Sequence, residues 1–428
     1  MLNPRILSAD ILQKVLEEKI FFSELKKSVP ESERAFVNQM VLGTLRNLRP
    51  LEVILSGYLK KKIAHKNRIV KYLLLSAIYE LSEMNTPDYA VIDSTVKSVK
   101  LKSDSFLAGM ANAILRNVCR DLHKIKSDMI KINKIPSEFR LVLQGYDNEQ
   151  IRKIGESIGN IVPVDLSVKE NHRQWAEKLN ADILPNGTLR LKQGGKIAEI
   201  FGYDQGKWWV QDVAASLPAI VAGDLNGKIV ADLCAAPGGK TAQLALVADK
   251  VFAFDISALR LKKMRENMVR LGLSEKIEMI NADAAQYLMD NPKVKYDIIL
   301  LDAPCSATGT FRRHPEVLHI KTIEDVKEQV NEQKKLLNAA AVALKKGGIL
   351  IYSVCSIAKA EGEKQVAEFL SQNKDFKVVP IVEKEISRFG SWNDNFIDVN
   401  GAIRTLPFYE QNIGGMDAFF ICKLQKIN

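Results

Sequence analysis

The sequence predicts an α/β protein: an all-helical amino-terminal third, a small α/β middle segment, and a carboxyl half built as a doubly wound, mostly parallel seven-stranded sheet. Three observations predict it. Up to about residue 126, apolar residues recur at helical spacing in segments joined by short connections. From about residue 228, strand-like and helix-like patterns alternate, as crossover units require. Two apolar runs, in Ile298–Ser306 (IILLDAPCS) and Gly348–Ser356 (GILIYSVCS), lack polar alternation, as strands buried on both faces of a parallel sheet do.

The chain has 428 residues, 46% hydrophobic and 26% charged, which is the balance of a globular protein with ample material for a large core. Nothing approaches the roughly 18 consecutive apolar residues of a membrane helix, and the opening MLNPRILSADILQKVLEEK carries charges through its apolar positions. A cytoplasmic protein with no membrane partner is expected. The five cysteines, Cys119, Cys234, Cys305, Cys355 and Cys422, are odd in number and widely spaced, so reduced thiols are expected and no metal site. The net charge of +10 is uneven: 21 basic against 14 acidic residues up to Ile130, and 40 against 37 beyond it. A basic module joined to a nearly neutral one suggests polyanion binding, with a merely solvated lysine-rich surface as the alternative.

In the first third, Leu7, Ile11, Leu12, Val15 and Leu16 share one helical face. Ser32 and Glu33 open a second helix carrying Phe36, Val37, Met40, Val41, Leu45 and Leu48. Ile69–Leu81 is almost wholly apolar and predicts a central, buried helix. Pro87 begins another, where its missing N–H costs nothing, and Phe106–Cys119 adds one more, with Cys119 as a packing thiol. The densest basic cluster is Lys60, Lys61 and Lys62 with Lys66, Arg68 and Lys71, a natural phosphate-contacting face.

Lys126–Ile135 reads as a polar linker. Beyond it, Asn186–Gly187 and Gly194–Gly195 mark turns, and strand-like pieces lie near Val162–Val168 and Leu189–Leu191. This middle region carries no recognisable chemistry. Expected boundaries are therefore 1–126, 127–206 and 207–428.

In the last region the expected order is strand Lys228–Leu233, helix Lys240–Val247, strand Lys250–Asp255, helix Ile256–Leu271, strand Ile277–Ile280, strand Tyr296–Leu301, a long helix over Thr322–Leu344 and strand Gly348–Val354. A helix near Glu363–Ser371, a strand near Phe376–Val382 and a terminal strand Ala418–Leu424 containing Cys422 follow. The first strand runs into DLCAAPGGK (Asp232–Lys240), a glycine-rich turn through which a ligand can approach backbone N–H groups. Its spacing is neither GxGxxG nor GxxxxGK[ST], which disfavours pyrophosphate and nucleoside triphosphates. Asp232, Asp255, Asp283 and Asp302 stand at four successive strand ends. Asp255 is placed to accept ribose hydroxyls, and four carboxylates suit a nucleoside with a cationic centre. Any single one could instead be a helix cap. Cys305 and Cys355 each follow a buried strand, so both thiols share one crevice if those strands are neighbours.

DLCAAPGGKT (Asp232–Thr241), LLDAPCSATGTFRRHPEV (Leu300–Val317), YSVCS (Tyr352–Ser356) and WWVQDVAAS (Trp208–Ser216) together resemble the S-adenosylmethionine-dependent RNA cytosine-C5 methyltransferases. The front region, in Glu33–Asn47, Lys71–Leu81 and Phe106–Val118, resembles the NusB-like RNA-binding domain. As a whole the chain resembles the bacterial 16S ribosomal RNA cytosine methyltransferases of the RsmB (Sun/Fmu) family. Two departures are Val354, where the family usually has threonine, and Met416–Phe420 (MDAFF), where Asp-Gly-Phe-Phe is common.

The resemblance implies a Rossmann-like class I methyltransferase domain with S-adenosyl-L-methionine held by Cys234, Ala235, Ala236, Pro237, Gly238, Gly239 and Lys240. It further implies Asp255 on the ribose, Asp283 near the adenine and Asp302 on the methionine or substrate side. Cytosine C5 is a poor nucleophile; a thiolate added to C6 makes it an enamine able to attack a sulfonium methyl. Sequence position does not say which cysteine attacks. DNA-type enzymes use the cysteine after proline, here Cys305, whereas the resembled RNA family implies Cys355 as nucleophile, Cys305 in product release and Asp302 at N3. Arg312 and Arg313 follow the reacting loop and are expected to hold phosphates flanking the target. The implied partner is 16S ribosomal RNA, and a monomer without an obligate protein partner is expected.

Overall fold

The computed structural model describes residues 3–160 and 162–427. The chain forms two compact units: Met1–Leu141 with Tyr146–Asn160 and Phe311–Lys321, and Val142–Gly145 with Ile161–Thr310 and Thr322–Asn428.

The first unit is helical. Its main helices are Pro4–Glu17, Arg34–Arg46, Leu48–Tyr58, Arg68–Glu83, Asp88–Lys102, Ser105–Arg120 and Leu122–Lys131. Asn3 opens the first by accepting from Arg5 N–H at 3.0 Å, with Pro4 in the first turn. Pro87 stands as the cap residue before Asp88. Arg68–Glu83 is the central helix expected from its apolar run: every residue from Tyr72 to Ser82 is buried. Its one buried carboxylate, Glu80, receives both Arg5 Nε (2.9 Å) and Nη2 (2.6 Å) from the first helix. Burial of a charge demands such a partner.

The stretch read as a linker from Lys126 is helical as far as Lys131, because Ile125 and Met129, four residues apart, bury in the bundle core. Two apolar anchors one turn apart outweigh the polar composition around them. Segment Phe311–Lys321 also belongs to this unit: the Phe311 ring meets Phe139 edge-on at 6.1 Å, and Ile320 joins the core.

The second unit holds two sheets. A small antiparallel one comprises β1 (Asp165–Val168), β2 (Ala181–Ile183), β3 (Leu189–Leu191) and β4 (Trp208–Val210), in the order β2-β3-β1-β4. Leu166, Leu189, Trp175 and Trp208 fill its core. The large sheet contains β5 (Ile229–Leu233), β6 (Lys250–Asp255), β7 (Ile277–Asn281), β8 (Tyr296–Asp302), β9 (Leu344–Val354), β10 (Phe376–Val378), β11 (Ile403–Arg404) and β12 (Phe420–Lys426). Its order is β10-β12-β9-β8-β5-β6-β7, with the two-residue β11 added against β12. Strands β7, β6, β5, β8 and β9 run parallel, while β12 is antiparallel to β9 and β10. This is the expected seven-strand path, mostly parallel, plus one short strand. Helix Ala258–Leu271 is capped by Ser257 and stopped by Gly272 at φ +63°, and helix Ile323–Ala343 opens with a Thr322–Asp325 capping box. Among the described residues no helix is long and apolar enough to cross a membrane.

Candidate active site

The order of the sheet decides where the strand ends meet. Because β8 lies between β5 and β9, Asp302 pairs in register with Ser353, and Asp232 with Leu300. Ligands of such sheets bind beyond the carboxyl ends of the strands, where the chain collects Asp232, Asp255, Asp302, Cys305 and Cys355.

Cys305 Sγ and Cys355 Sγ are 3.3 Å apart. The loop after β8 is stitched to the end of β9 by Ala303 N–H to Ser353 O (2.9 Å) and Gly309 N–H to Cys355 O (3.0 Å). Gly309 is required there: a Cβ would stand 2.0 Å from the Ala418 carbonyl oxygen. The contact to Cys355, then burial, pushes the Cys305 thiol well above the ordinary range. Either sulfur can be the donor of the pair. Burial also pushes Cys234 and Cys422 up to about 12, and among the described residues no other cysteine faces either of them.

Beside the thiols, Asp302 is gripped on both oxygens, by Lys240 Nζ on Oδ2 (2.6 Å) and Ser353 Oγ on Oδ1 (2.9 Å). Burial works against the Lys240 ammonium, but the Asp302 carboxylate and the neighbouring Cys355 hold it above the usual lysine range. The Lys240 Nζ also lies 5.3 Å from the centre of the Phe419 ring, supplied by the Met416–Phe420 segment. Lys240, expected with the cofactor loop, therefore points to Asp302. Its partner lies 62 residues along the chain, a distance that no local pattern spans.

The loop from Cys234 to Gly239 closes over the end of β5. Cys234 (φ +64°) and Gly238 (φ +99°) both take left-handed backbone, and a Cβ on Gly238 would meet Met264 and Met268 at 2.8 Å. Asp232, fully buried, accepts from Thr241 Oγ1 at 2.6 Å, while its Oδ1 has no hydrogen-bond partner among the described residues. Burial pushes its carboxyl up to about 7. Asp255 Oδ2 accepts from Ala236 N–H (3.1 Å) and Oδ1 from Ser257 N–H (2.9 Å). Asp283 acts as the cap of helix Ala284–Asp290, its Oδ1 accepting from Gln286 N–H at 3.1 Å. An unpartnered buried carboxylate oxygen, a loop that admits backbone approach, and further carboxylates at adjacent strand ends fit a nucleoside bearing a positive sulfonium.

The residues expected to touch RNA separate. Lys60, Lys61 and Lys62 are exposed after helix Leu48–Tyr58, whereas Arg68 and Lys71 of the same cluster pair with Glu17 and Glu52. Arg312 is 2% exposed, its backbone carbonyl accepting from Arg46 Nη2, and Arg313 is half-buried. A guanidinium so buried offers no surface to a phosphate in this conformation; Arg313 offers some.

Residues 220–425 match the family of 16S rRNA methyltransferases RsmB/F, and residues 2–120 match the NusB family. The ribosomal RNA small subunit methyltransferase B of Vibrio vulnificus is 32% identical over 88% of this chain and 93% of its own length. That of Pasteurella multocida is 30% identical over 100% of this chain and 97% of its own. The structure of NSun6 from Pyrococcus horikoshii with SFG, an analogue of S-adenosylmethionine, superposes with a TM-score of 0.56 at 20% identity, covering 68% of this chain and 98% of that one. At that identity the likeness shows the fold. The helical region and the mostly parallel sheet agree with these matches, and the chain belongs to the RsmB/F family of S-adenosylmethionine-dependent 16S ribosomal RNA methyltransferases.

Proposed function

We propose that this protein methylates C5 of a specific cytosine in 16S ribosomal RNA through a covalent bond between Cys355 Sγ and C6. The observation that carries the reading is the 3.3 Å pair of thiols at adjacent strand ends, beside the Lys240–Asp302 ion pair. Cys355, at the end of β9, is the sulfur that the family resemblance makes the nucleophile, with Cys305 beside it. Asp302, held by Lys240 and Ser353, faces N3; the Lys240 ammonium gives a proton to its carboxylate, which passes one to N3 as the thiolate adds and the C5=C6 electron pair moves into the enamine. S-adenosylmethionine, bound by Cys234–Gly239 with Asp255 and Asp283, supplies an electrophilic methyl group. Transfer of the C5 proton to water then returns the electron pair to C5=C6, N3 gives its proton back to Asp302, and the Cys355 thiolate leaves with Cys305 assisting release.

A stacked, paired cytosine hides C6 from a thiol, so the target is taken unstacked or single-stranded. Residues 1–126 bind RNA, with Lys60, Lys61, Lys62 and Arg313 contacting phosphates without sequence choice. Residues 127–206 link them to the catalytic region 207–428. The protein works as a cytoplasmic monomer with no obligate protein partner.

The test has two parts. Bisulfite sequencing of ribosomal RNA from cells with and without the gene should show one cytosine methylation lost with the gene; none lost refutes the activity. Cys305→Ala protein, incubated with RNA and cofactor, should accumulate a denaturant-resistant protein–RNA adduct, and Cys355→Ala none. The reverse pattern would exchange the roles of the two thiols.

A further inference from the structure

Behind the two cysteines lies a buried carboxylate that the reaction does not use. Glu361 is 0% exposed and has no ion-pair partner among the described residues. Its Oε1 accepts from the backbone N–H of Ser306 (2.8 Å) and from Gln333 Nε2 (3.0 Å). Its Oε2 accepts from Ser306 Oγ (2.5 Å) and from Ser356 Oγ. Ser306 directly follows Cys305 and Ser356 directly follows Cys355, so one side chain holds the residue after each thiol. Gln333 extends the tie by donating also to Pro304 O at 2.9 Å, on the other side of Cys305. Behind it, Tyr352 donates to the Glu361 carbonyl oxygen at 2.6 Å.

Burying a carboxylate without a cation is unfavourable. Burial accordingly raises the Glu361 carboxyl above its usual range, opposed by its hydrogen bonds. What the chain gains is acceptor capacity. A carboxylate alone among side chains offers about four lone-pair directions from two oxygens and no competing donor, and here four donors from two loops and a helix converge on it.

We infer that Glu361 is a positioning residue that clamps the Cys305 and Cys355 loops together and sets the spacing of their sulfurs. It touches neither RNA nor cofactor; it acts through Ser306 and Ser356. The inference rests on the proposed roles of the two thiols for its catalytic consequence, but the clamp itself is measurable without RNA.

The probe is phenylarsine oxide, whose arsenic takes two neighbouring thiols, forming two As–S bonds and releasing one water. Wild-type protein should bind it much more tightly than Cys355→Ala, which presents a single thiol at the site. Glu361→Ala should lower that affinity at least tenfold toward the single-thiol value. It should also lower the turnover number on ribosomal RNA by about 100-fold, the scale of a misplacement near 1 Å, with the cofactor KM unchanged. Glu361→Gln should recover most of both, since its amide oxygen can accept from Ser306 N–H and Gln333 while its NH2 donates to hydroxyls that can turn to accept.

Should Glu361→Ala fail to fold, the double variant Ser306→Ala/Ser356→Ala removes only the hydroxyl arms and must itself weaken arsenical binding. Unchanged binding in these variants, or wild-type binding no tighter than that of Cys355→Ala, overturns the clamp. Failure of wild-type protein to methylate cytosine would instead overturn the proposed function, with the arsenical measurement still deciding the clamp.

Discussion

Replacing Lys240 by Met distinguishes two roles for a lysine that ends a glycine-rich loop yet pairs with Asp302. Its Nζ lies 2.6 Å from Asp302 Oδ2, with side chains 12% and 29% exposed. Removing one partner of a fully buried pair costs about 3–5 kcal/mol, most of it from the charge left behind. Asp302 is more than a quarter exposed and keeps Ser353 Oγ on its other oxygen, so water replaces part of the loss and about 2 kcal/mol is expected. The Lys240 ammonium is held above its usual range, so its contribution is complete at neutral pH and is lost only as the solution rises through the alkaline range where it titrates. Urea unfolding at neutral pH should therefore show the full deficit. On the proposed mechanism Asp302 without its partner turns away from N3, and single-turnover methylation should slow by about 100-fold. Cofactor affinity, measured by calorimetry, should change little. The opposite split, weakened cofactor binding with an intact single-turnover rate, would refute the pairing as the functional role and make Lys240 a cofactor ligand.

Two further outcomes follow from buried carboxylates. Asp232 is pushed up to about 7 by burial, against about 4 in an unfolded chain. The folded state therefore keeps a proton that the unfolded state releases, and stability should fall as pH rises through that window and level off above it. Asp232→Asn, which still accepts from Thr241, should abolish this part of the slope; parallel thermal midpoints across the window for both proteins would refute it. In the helical unit, Arg5→Met leaves Glu80, 0% exposed, without its two-pronged partner and should cost about 3–5 kcal/mol in urea unfolding. Adding Glu80→Met should recover much of that loss, and a cost below about 1 kcal/mol would show the pair to behave like a surface one.

The elements legible in the sequence were those whose cause lies within one or two turns. The apolar run Ile69–Leu81 had to be buried on all sides, and it became the core helix Arg68–Glu83. At Lys126–Lys131 the polar composition points to a linker, but Ile125 and Met129 are enough to hold the helix. Asp283 was legible in position, but one carboxylate oxygen is spent as a cap on Gln286 N–H, the competing use of any Asp after a strand. Lys240 with Asp302, and Glu361 with Ser306, lie 62 and 55 residues apart, and no periodicity names such partners. What names them is register. Once β8 and β9 are parallel neighbours with Asp302 opposite Ser353, the third residue beyond Asp302 and the second beyond Ser353 leave adjacent strand ends together, and those residues are Cys305 and Cys355. The sequence carried this as a condition on two buried strands, and the sheet order meets it. Register brings the loops side by side without closing them on each other. The 3.3 Å between the sulfurs needs ties across the loops, which the Gly309 N–H supplies on one side and the Glu361 carboxylate on the other.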